Sequence, residues 1–308
     1  MPAPREPLTI PLRLNLFLTG LLTGTLLTLL YAAGRASGWG LAAVAVTWSL
    51  VMNSAYALLH EAGHGLLHPD RRVNDTAGVV LALFFPAPFH LLRQGHLGHH
   101  LRNRSDDEAF DFYFAGENPV WKRLQLYGIL TGFFWMVIAL TNLLTAVWPW
   151  LLQPRKFRPD RPTGALLESL NPRFLPLVWM ESLAAVALHA GLILAWDIPM
   201  ANWVTVLASF GFLWSAMQYV HHFGTARDVK NGALNLRTWR WLDALWLHHN
   251  WHLRHHQRPT VPWIHLPHLD EGPDTPRPLL FPAWLRMWRG PRLTQHRVNN
   301  RYAGRIIR

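Results

Sequence analysis

Long apolar runs constrain the fold of this chain more than any other feature of its sequence. Five of them are long enough to cross a bilayer as helices: residues 14–34, 40–60, 124–150, 175–197 and 201–222. A helix needs about 20 apolar residues to span the hydrocarbon core. A sixth run, residues 76–92, is shorter and contains Pro86 and Pro88, which favours an interfacial or re-entrant element. We therefore predict an all-α integral membrane protein.

The charged residues are scarce and unevenly placed. They make up 15% of the chain, whereas soluble domains average about 25%. Lys and Arg concentrate in residues 61–123 and 223–308, while the loop at 197–202 has none. The positive-inside rule therefore places both basic regions in the cytoplasm and the loop outside. With these apolar runs, the net charge of +11 favours anionic lipid headgroups as partners and argues against nucleic acid.

The membrane face on which each basic region lies limits how many times the chain can cross the bilayer. If residues 124–150 crossed fully, the two basic regions would lie on opposite faces, yet the following loop at 151–173 is itself basic. We predict that 124–150 begins and ends in the cytoplasm, which leaves about four transmembrane helices plus interfacial or re-entrant helices. Five crossings that violate the charge rule are the alternative. Residues 1–308 are expected to form one domain with a cytoplasmic, histidine-rich cap.

Three histidine boxes stand out among the 18 histidines. HEAGH, with the spacing H-x-x-x-H, begins at His60, and the spacing H-x-x-H-H occurs twice, from His96 and from His252. Residues three or four apart share a helix face, so each box projects its imidazoles in one direction. All three boxes fall on the predicted cytoplasmic side, and His222 adds one more imidazole there. This pattern predicts a polynuclear metal site.

The first box also fits the H-E-x-x-H pattern of zinc proteases. Such a protease holds one ion with three or four protein ligands, and Asp243 is the one candidate for a later acidic ligand. This reading leaves both H-x-x-H-H boxes unused, so it stays a remote alternative, as does a membrane metal carrier or sensor. The sequence has no cysteine, which excludes thiolate sites and iron–sulfur clusters on this chain. Imidazole suits zinc, copper, nickel and iron alike, so the ligand type alone does not identify the metal. Two metals lined by imidazole beside apolar spans suggest oxygen activation on a hydrophobic substrate, for which two irons are suited.

Together the boxes resemble those of the integral-membrane fatty acid desaturase family, a family of di-iron enzymes. The similarity lies in HEAGHG, in HLGHH with the following LRNRSDDE, in RDVKNGALNL and in NWHLRHHQRP, and it covers about residues 40–270. The resemblance implies an enzyme of the bacterial inner membrane that uses O2 to desaturate an acyl chain of a lipid. Its electrons would come from a separate donor such as ferredoxin. Hydroxylation or ketolation of a lipid or carotenoid on the same site is the alternative.

The resemblance also implies which side chains hold the two iron ions. One histidine before the third box belongs to the set, and His222 is favoured over His221 because it follows the amide Gln218 by one turn. In some members an amide at this place touches iron through water. The implied ligands are His60, His64, His96, His99, His100, His222, His252, His255 and His256.

Specific contacts are also expected for several residues around the histidine boxes. Glu61 is expected to accept a hydrogen bond from a ligand histidine, and Asp106, Asp107 and Glu108 either do the same or solvate a loop. His248 and His249 are expected to flank the third box. Asp228 is expected to pair with Arg227 and to orient a ligand, and His189 is expected to pair with Glu181. The basic segment 297–308 is expected to contact lipid headgroups. Tyr56 and Trp135 are expected to pack in the core, with the lining of a substrate channel as the alternative.

Overall fold

A computed structural model describes residues 8–152, 161–269 and 276–307. Its helices are α1 (Leu12–Ala33), α2 (Gly38–His64), α3 (Arg71–Ala82), α4 (Phe89–Arg102), α5 (Pro119–Leu130), α6 (Phe133–Val147), α7 (Arg161–Ser169), α8 (Leu175–Ala195), α9 (Met200–Met217), α10 (Arg240–Leu245), α11 (His252–Gln257) and α12 (Leu280–Met287). Short 3-10 turns lie at Pro149–Leu152, Pro172–Phe174 and Trp263–His268. One parallel pair joins β1 (Phe112–Tyr113) to β2 (Arg292–Leu293).

Within the described residues, four helices are long and apolar enough to cross a membrane, namely α1, α2, α8 with its preceding turn, and α9. The predicted run 124–150 is not a straight helix, because α5 and α6 meet at an angle of 83°. Gly132 lies at this bend with a φ of 83°, a conformation that glycine adopts without strain. Counting this bent pair as one span would give five. The all-α membrane architecture predicted from the sequence is confirmed.

The spanning helices form two hairpins whose turns lie side by side. Asn202 at the start of α9 donates hydrogen bonds to the carbonyls of Ala33 and Ala36, at 2.8 and 3.0 Å. A Cβ on Gly34 would lie 3.3 Å from the side chain of Ile198 and from the carbonyl oxygen of Trp196, so any larger residue would push the two turns apart by a few tenths of an ångström. With the turns together at one end, the C-terminal ends of α2 and α9 meet at the other. That other end carries the histidine boxes.

The centre of the bundle is α2, which packs between α1 and α9. Its residues Trp48, Met52 and Leu58 are fully buried in the main apolar core. The outer faces of the other helices expose large apolar side chains, among them Phe17 on α1 and Leu194 on α8. Lipid-facing surfaces require this arrangement, because hydrocarbon offers no partner to polar groups.

The C-terminal segment packs against the protein, which differs from the expected basic tail at the headgroups. Ile307 is buried, and its N–H donates to the carbonyl of Ser169 at 2.9 Å. Val298 and Asp106 exchange backbone and side-chain hydrogen bonds at 2.8 and 2.9 Å. Arg308, which ended the predicted tail, lies outside the described residues.

Candidate metal centre

Nine imidazoles from four distant parts of the chain gather at the end of α2, and they are the nine that the sequence predicts. They form two groups, in each of which one ligand atom per residue lies within 4.8 Å of all the others. We call the first group cluster A and the second cluster B. Cluster A contains His60, His64, His96, His100 and His255. Cluster B contains His99, His222, His252 and His256.

Local helix geometry explains how each box reaches the site. His60 and His64 lie on the last turn of α2, which ends there because Gly65 adopts a φ of 74°. The second box occupies the C-terminal half of α4, and the third forms most of α11. His222 follows the end of α9 in a short turn.

The two H-x-x-H-H boxes each contribute to both clusters. His99 and His100 are adjacent on α4, yet the first belongs to cluster B and the second to cluster A. His255 and His256 divide in the same way on α11. Consecutive residues on a helix point about 100° apart, so adjacent imidazoles cannot face one small ion. The doubled histidine in each box therefore supports two metal positions rather than one.

The nitrogen positions within each cluster fit metal chelation. The Nε2 atoms of His64 and His96 lie 2.8 Å apart, and those of His100 and His255 lie 2.9 Å apart. In cluster B the Nε2 atoms of His222 and His252 lie 3.1 Å apart. Two nitrogens bound to one ion at about 2.1 Å would be roughly 3.0–3.4 Å apart. The Nε2 atom of His60 is buried without a hydrogen-bond partner among the described residues, and a metal ion in cluster A would satisfy it.

The outer nitrogens of several rings are held so that Nε2 faces its cluster. Nδ1 of His99 lies 2.6 Å from a carboxylate oxygen of Glu108, and Nδ1 of His222 lies 2.8 Å from the carbonyl of Gly232. Such contacts fix the tautomer and the orientation of a metal-binding imidazole. The other oxygen of Glu108 accepts from Nε of Arg102.

The other three acidic residues expected near the site make different contacts. Asp106 and Asp107 hold the C-terminal segment rather than a ligand ring. Glu61 accepts from the backbone N–H of Trp263 at 3.0 Å, and it lies 3.9 Å from Nδ1 of His60, beyond hydrogen-bond distance. Of the acidic residues named above, Glu108 is therefore the one that contacts a clustered ring at hydrogen-bond distance.

Burial keeps the clustered imidazoles outside the spanning helices neutral. It lowers the pKa of the following residues well below the ordinary value, and the neighbouring imidazoles lower it further: His96, His100, His222, His252, His255 and His256. Neutral imidazole is the form that binds metal ions. For Glu108, burial raises the pKa, but Arg102 and His99 outweigh it and the net pKa is lowered. This carboxylate therefore stays charged beside His99.

Two further histidines lie against the clusters without joining them, and box spacing alone did not identify their contacts. The ring of His249 lies 5.1 Å from that of His60, and the ring of His221 lies 4.7 Å from that of His252. Burial lowers the pKa of both to about 3. A cavity of about 10 Å³, room for about one water, is lined by His249, His60 and Glu61 among others. Gln218 donates to the carbonyl of Trp214 at 3.2 Å.

Two predicted pairings are wrong because each residue finds another partner. His189 contacts the carbonyl of Leu83 at 3.0 Å and accepts from Trp203 at 3.1 Å. Glu181 instead pairs with His90, a residue on the neighbouring helix α4.

The second wrong pairing is that of Arg227 with Asp228. Arg227 binds Asp106 at 2.5 Å, and Asp228 caps the turn at Lys230 and Asn231.

The acidic ligand that a single-zinc protease would need is absent from both clusters. Asp243 accepts from His248 at 3.0 Å, from Asn250 at 3.3 Å and from Trp251 at 3.1 Å. These contacts hold the turn before α11, where Leu247 and His248 adopt positive φ angles. His248 thus flanks the third box, as expected.

Comparison with known proteins gives two matches. The model of the fatty acid desaturase family matches residues 14–288 of this chain. The sn-1 oleoyl-lipid 12-desaturase of Arthrospira platensis is 25% identical over 234 residues, which are 68% of this chain and 62% of that protein. The chain therefore spans less than two thirds of the length of this relative.

Proposed function

This chain belongs to the fatty acid desaturase family, and on that premise we propose that it is a di-iron oxidase that uses O2 and external electrons to desaturate an acyl chain of a lipid. Membership of this family supports an oxidoreductase, and the helices that are long and apolar enough to cross a membrane support an integral membrane protein. The observation that carries the finer proposal is the pair of imidazole clusters that the two H-x-x-H-H boxes share.

Each cluster would hold one iron through its imidazoles. The donor set fits iron, which accepts imidazole readily, and the neutral state of the buried rings removes competition from protons. Two irons bound there would activate O2, the oxidant that removes two hydrogens from unactivated C–H bonds, which acid–base groups cannot do. The protein's own part is to hold and orient the rings, as Glu108 does for His99 and the Gly232 carbonyl does for His222.

An apolar floor beneath the clusters supports a hydrophobic substrate. Tyr56 stacks on Phe85 with ring centroids 5.4 Å apart, and both rings pack against Trp214. Tyr56 also contacts the ring of His249, which touches His60. These aromatic rings belong to the main apolar core or pack against it, so the clusters adjoin an apolar surface on that side. A chain of methylene groups would meet mainly apolar ring faces along such a surface.

The distribution of basic residues suggests the membrane face of the site and the kind of electron donor. The clusters lie at the membrane end of α2 and α9, next to the basic regions 61–123 and 223–308, so we place them on the cytoplasmic face of a bacterial inner membrane. Because the sequence contains no cysteine, an iron–sulfur donor such as ferredoxin would be a separate protein. The basic surface favours an acidic donor, since complementary charge speeds encounter. Residues 1–308 would act as one domain.

Expression in a lipid-producing host, followed by mass spectrometry of the lipids, tests the proposal. Desaturation removes two hydrogens from an acyl chain, and this loss is the expected result. The His100→Ala variant should abolish it, whereas His268→Ala, which alters an exposed histidine outside both clusters, should retain it. Gain of one oxygen would mean hydroxylation, and gain of one oxygen with loss of two hydrogens would mean ketolation. Either of these would overturn the desaturase proposal in favour of the same di-iron chemistry.

A further inference from the structure

We propose that residues 292–307, here called the strap, strengthen metal binding at this site. They would do so by holding in place the loop that brings Glu108 to His99. The inference rests on the proposed function in that it assumes two bound irons. It goes beyond that function in assigning one iron, that of cluster B, a dependence on the strap that the iron of cluster A does not share.

The strap is attached first along β1. It runs parallel to Phe112 and Tyr113, and the backbone N–H of Arg292 donates to the carbonyl of Asp111 at 2.9 Å. The N–H of Thr294 donates to the carbonyl of Tyr113 at 3.0 Å. These bonds fix the end of the loop, residues 103–111, that follows α4.

The strap then binds the middle of this loop through Asp106 and Asp107. The N–H of Asp106 donates to the carbonyl of Val298 at 2.8 Å, and the Asp106 carboxylate accepts from the N–H of Val298 at 2.9 Å and from Arg297 at 3.2 Å. Asn300 donates to the carboxylate of Asp107 at 2.9 Å. Four hydrogen bonds thus anchor the two residues that directly precede Glu108.

Glu108 connects the anchored loop to the ring of His99 in cluster B. One of its carboxylate oxygens lies 2.6 Å from Nδ1 of His99, and the other binds Arg102. The far end of the strap supports Arg102 as well, since Arg102 lies 3.4 Å from the hydroxyl of Ser169, whose carbonyl accepts from the N–H of Ile307. The strap therefore braces both sides of the Glu108–Arg102 pair.

The effect is confined to one cluster. His99 belongs to cluster B, and Asn103 in the same loop lies 3.5 Å from Nδ1 of His256, also in cluster B. Among the described residues, no hydrogen bond joins the strap or this loop to a ring of cluster A. Loss of the partner that orients a metal-binding imidazole typically weakens metal affinity roughly 10–100-fold. Release of the strap should therefore weaken one iron by this factor and leave the other unchanged.

Chelator titration of the purified iron-loaded protein tests the inference, with iron per chain as the readout. Asp106→Asn cuts the main anchor, Asn300→Ala removes a milder one, and deletion of residues 292–308 removes the strap. The matched control is Asp75→Asn, because Asp75 also pairs with two arginines, at 2.9 and 3.5 Å, but lies on α3 away from the loop. We expect Asp106→Asn to release one of two irons at a chelator concentration roughly 10–100-fold lower than the wild type requires. The control should release neither iron early.

Two results would overturn the inference. The first is that Asp106→Asn and Asn300→Ala keep both irons as firmly as the wild type. The second is that both irons leave together at the same lowered chelator concentration. If the deletion does not fold, these two point variants still decide. Wild-type protein that binds fewer than two irons would instead refute the proposed function.

Discussion

The buried ion pair of Arg104 and Asp111, in the loop after α4, gives the sharpest prediction about stability. Arg104 and Asp111 are fully buried, and two parallel hydrogen bonds of 2.7 and 3.0 Å join the guanidinium to the carboxylate. Asp111 also accepts from the hydroxyl of Tyr219 at 2.7 Å and from the N–H of Gly224 at 2.8 Å. Tyr219 lies one turn before His222, so this network ties the loop after α4 to a cluster residue.

The size of the expected loss in stability follows from the burial of this ion pair. Asp111→Leu leaves the Arg104 charge buried without a counter-charge, which costs about 3–5 kcal/mol. At about 2–4 °C for each kcal/mol in a chain of this size or somewhat smaller, the melting temperature should fall by roughly 6–20 °C. Replacement of both partners by apolar residues, as in Arg104→Met with Asp111→Leu, removes the buried charge altogether. The double variant should therefore be more stable than the single variant by about 2 kcal/mol or more.

Thermal unfolding of Asp111→Leu, of Arg104→Met and of the double variant in lipid nanodiscs provides the assay, because it compares them in one membrane environment. Recovery of stability in the double variant is the decisive result, since it isolates the coupling between the two charges. The reasoning would be refuted if Asp111→Leu lowered the melting temperature by less than about 3 °C. It would be refuted equally if the two single losses simply added in the double variant.

Three other predictions concern the pH response, the membrane surface and the topology. Burial lowers the pKa of His221 and His249 to about 3, below the value of about 6.5 in the unfolded chain, so their stabilisation is complete above that value and is lost as pH falls. Acidification from about pH 8 to 5.5 should cost the two together roughly 3 kcal/mol, and flat thermal melts across this range would contradict it. Trp241 and Phe281, 58% and 65% exposed, should lie among lipid headgroups. The chain has no cysteine, so a nitroxide on a single cysteine at either position should show lipid-like oxygen accessibility, whereas one on the strap should report water. A reporter fused after Leu170 should read cytoplasmic, and an external reading would show that the bent pair of α5 and α6 is a fifth crossing.

The architecture and the clustering of the histidines could be predicted because both depend on local patterns. Apolar length alone identifies spanning helices, and the spacing of three or four residues places each box on one helix face. The adjacent pair of His99 and His100 also indicates that the histidines divide into two clusters. Neighbouring residues on a helix point in different directions, and these two lie in different clusters.

The partners of single polar residues could not be predicted, because tertiary packing chooses among several reachable groups. Helix spacing predicts a pair of Glu181 with His189, but α4 brings His90 to Glu181 instead. Sequence proximity predicts a pair of Arg227 with Asp228, but the fold brings Asp106 to Arg227. The strap escaped prediction for the same reason: its basic composition suggests headgroups, and only the acidic loop beside α4 explains where it binds.

The central claim is that imidazoles from four distant segments hold two irons at one end of the bundle. Quantitative metal analysis of the purified protein, combined with Mössbauer spectroscopy, tests it most directly. The account predicts two irons per chain in environments rich in nitrogen ligands. A single zinc ion per chain would contradict it.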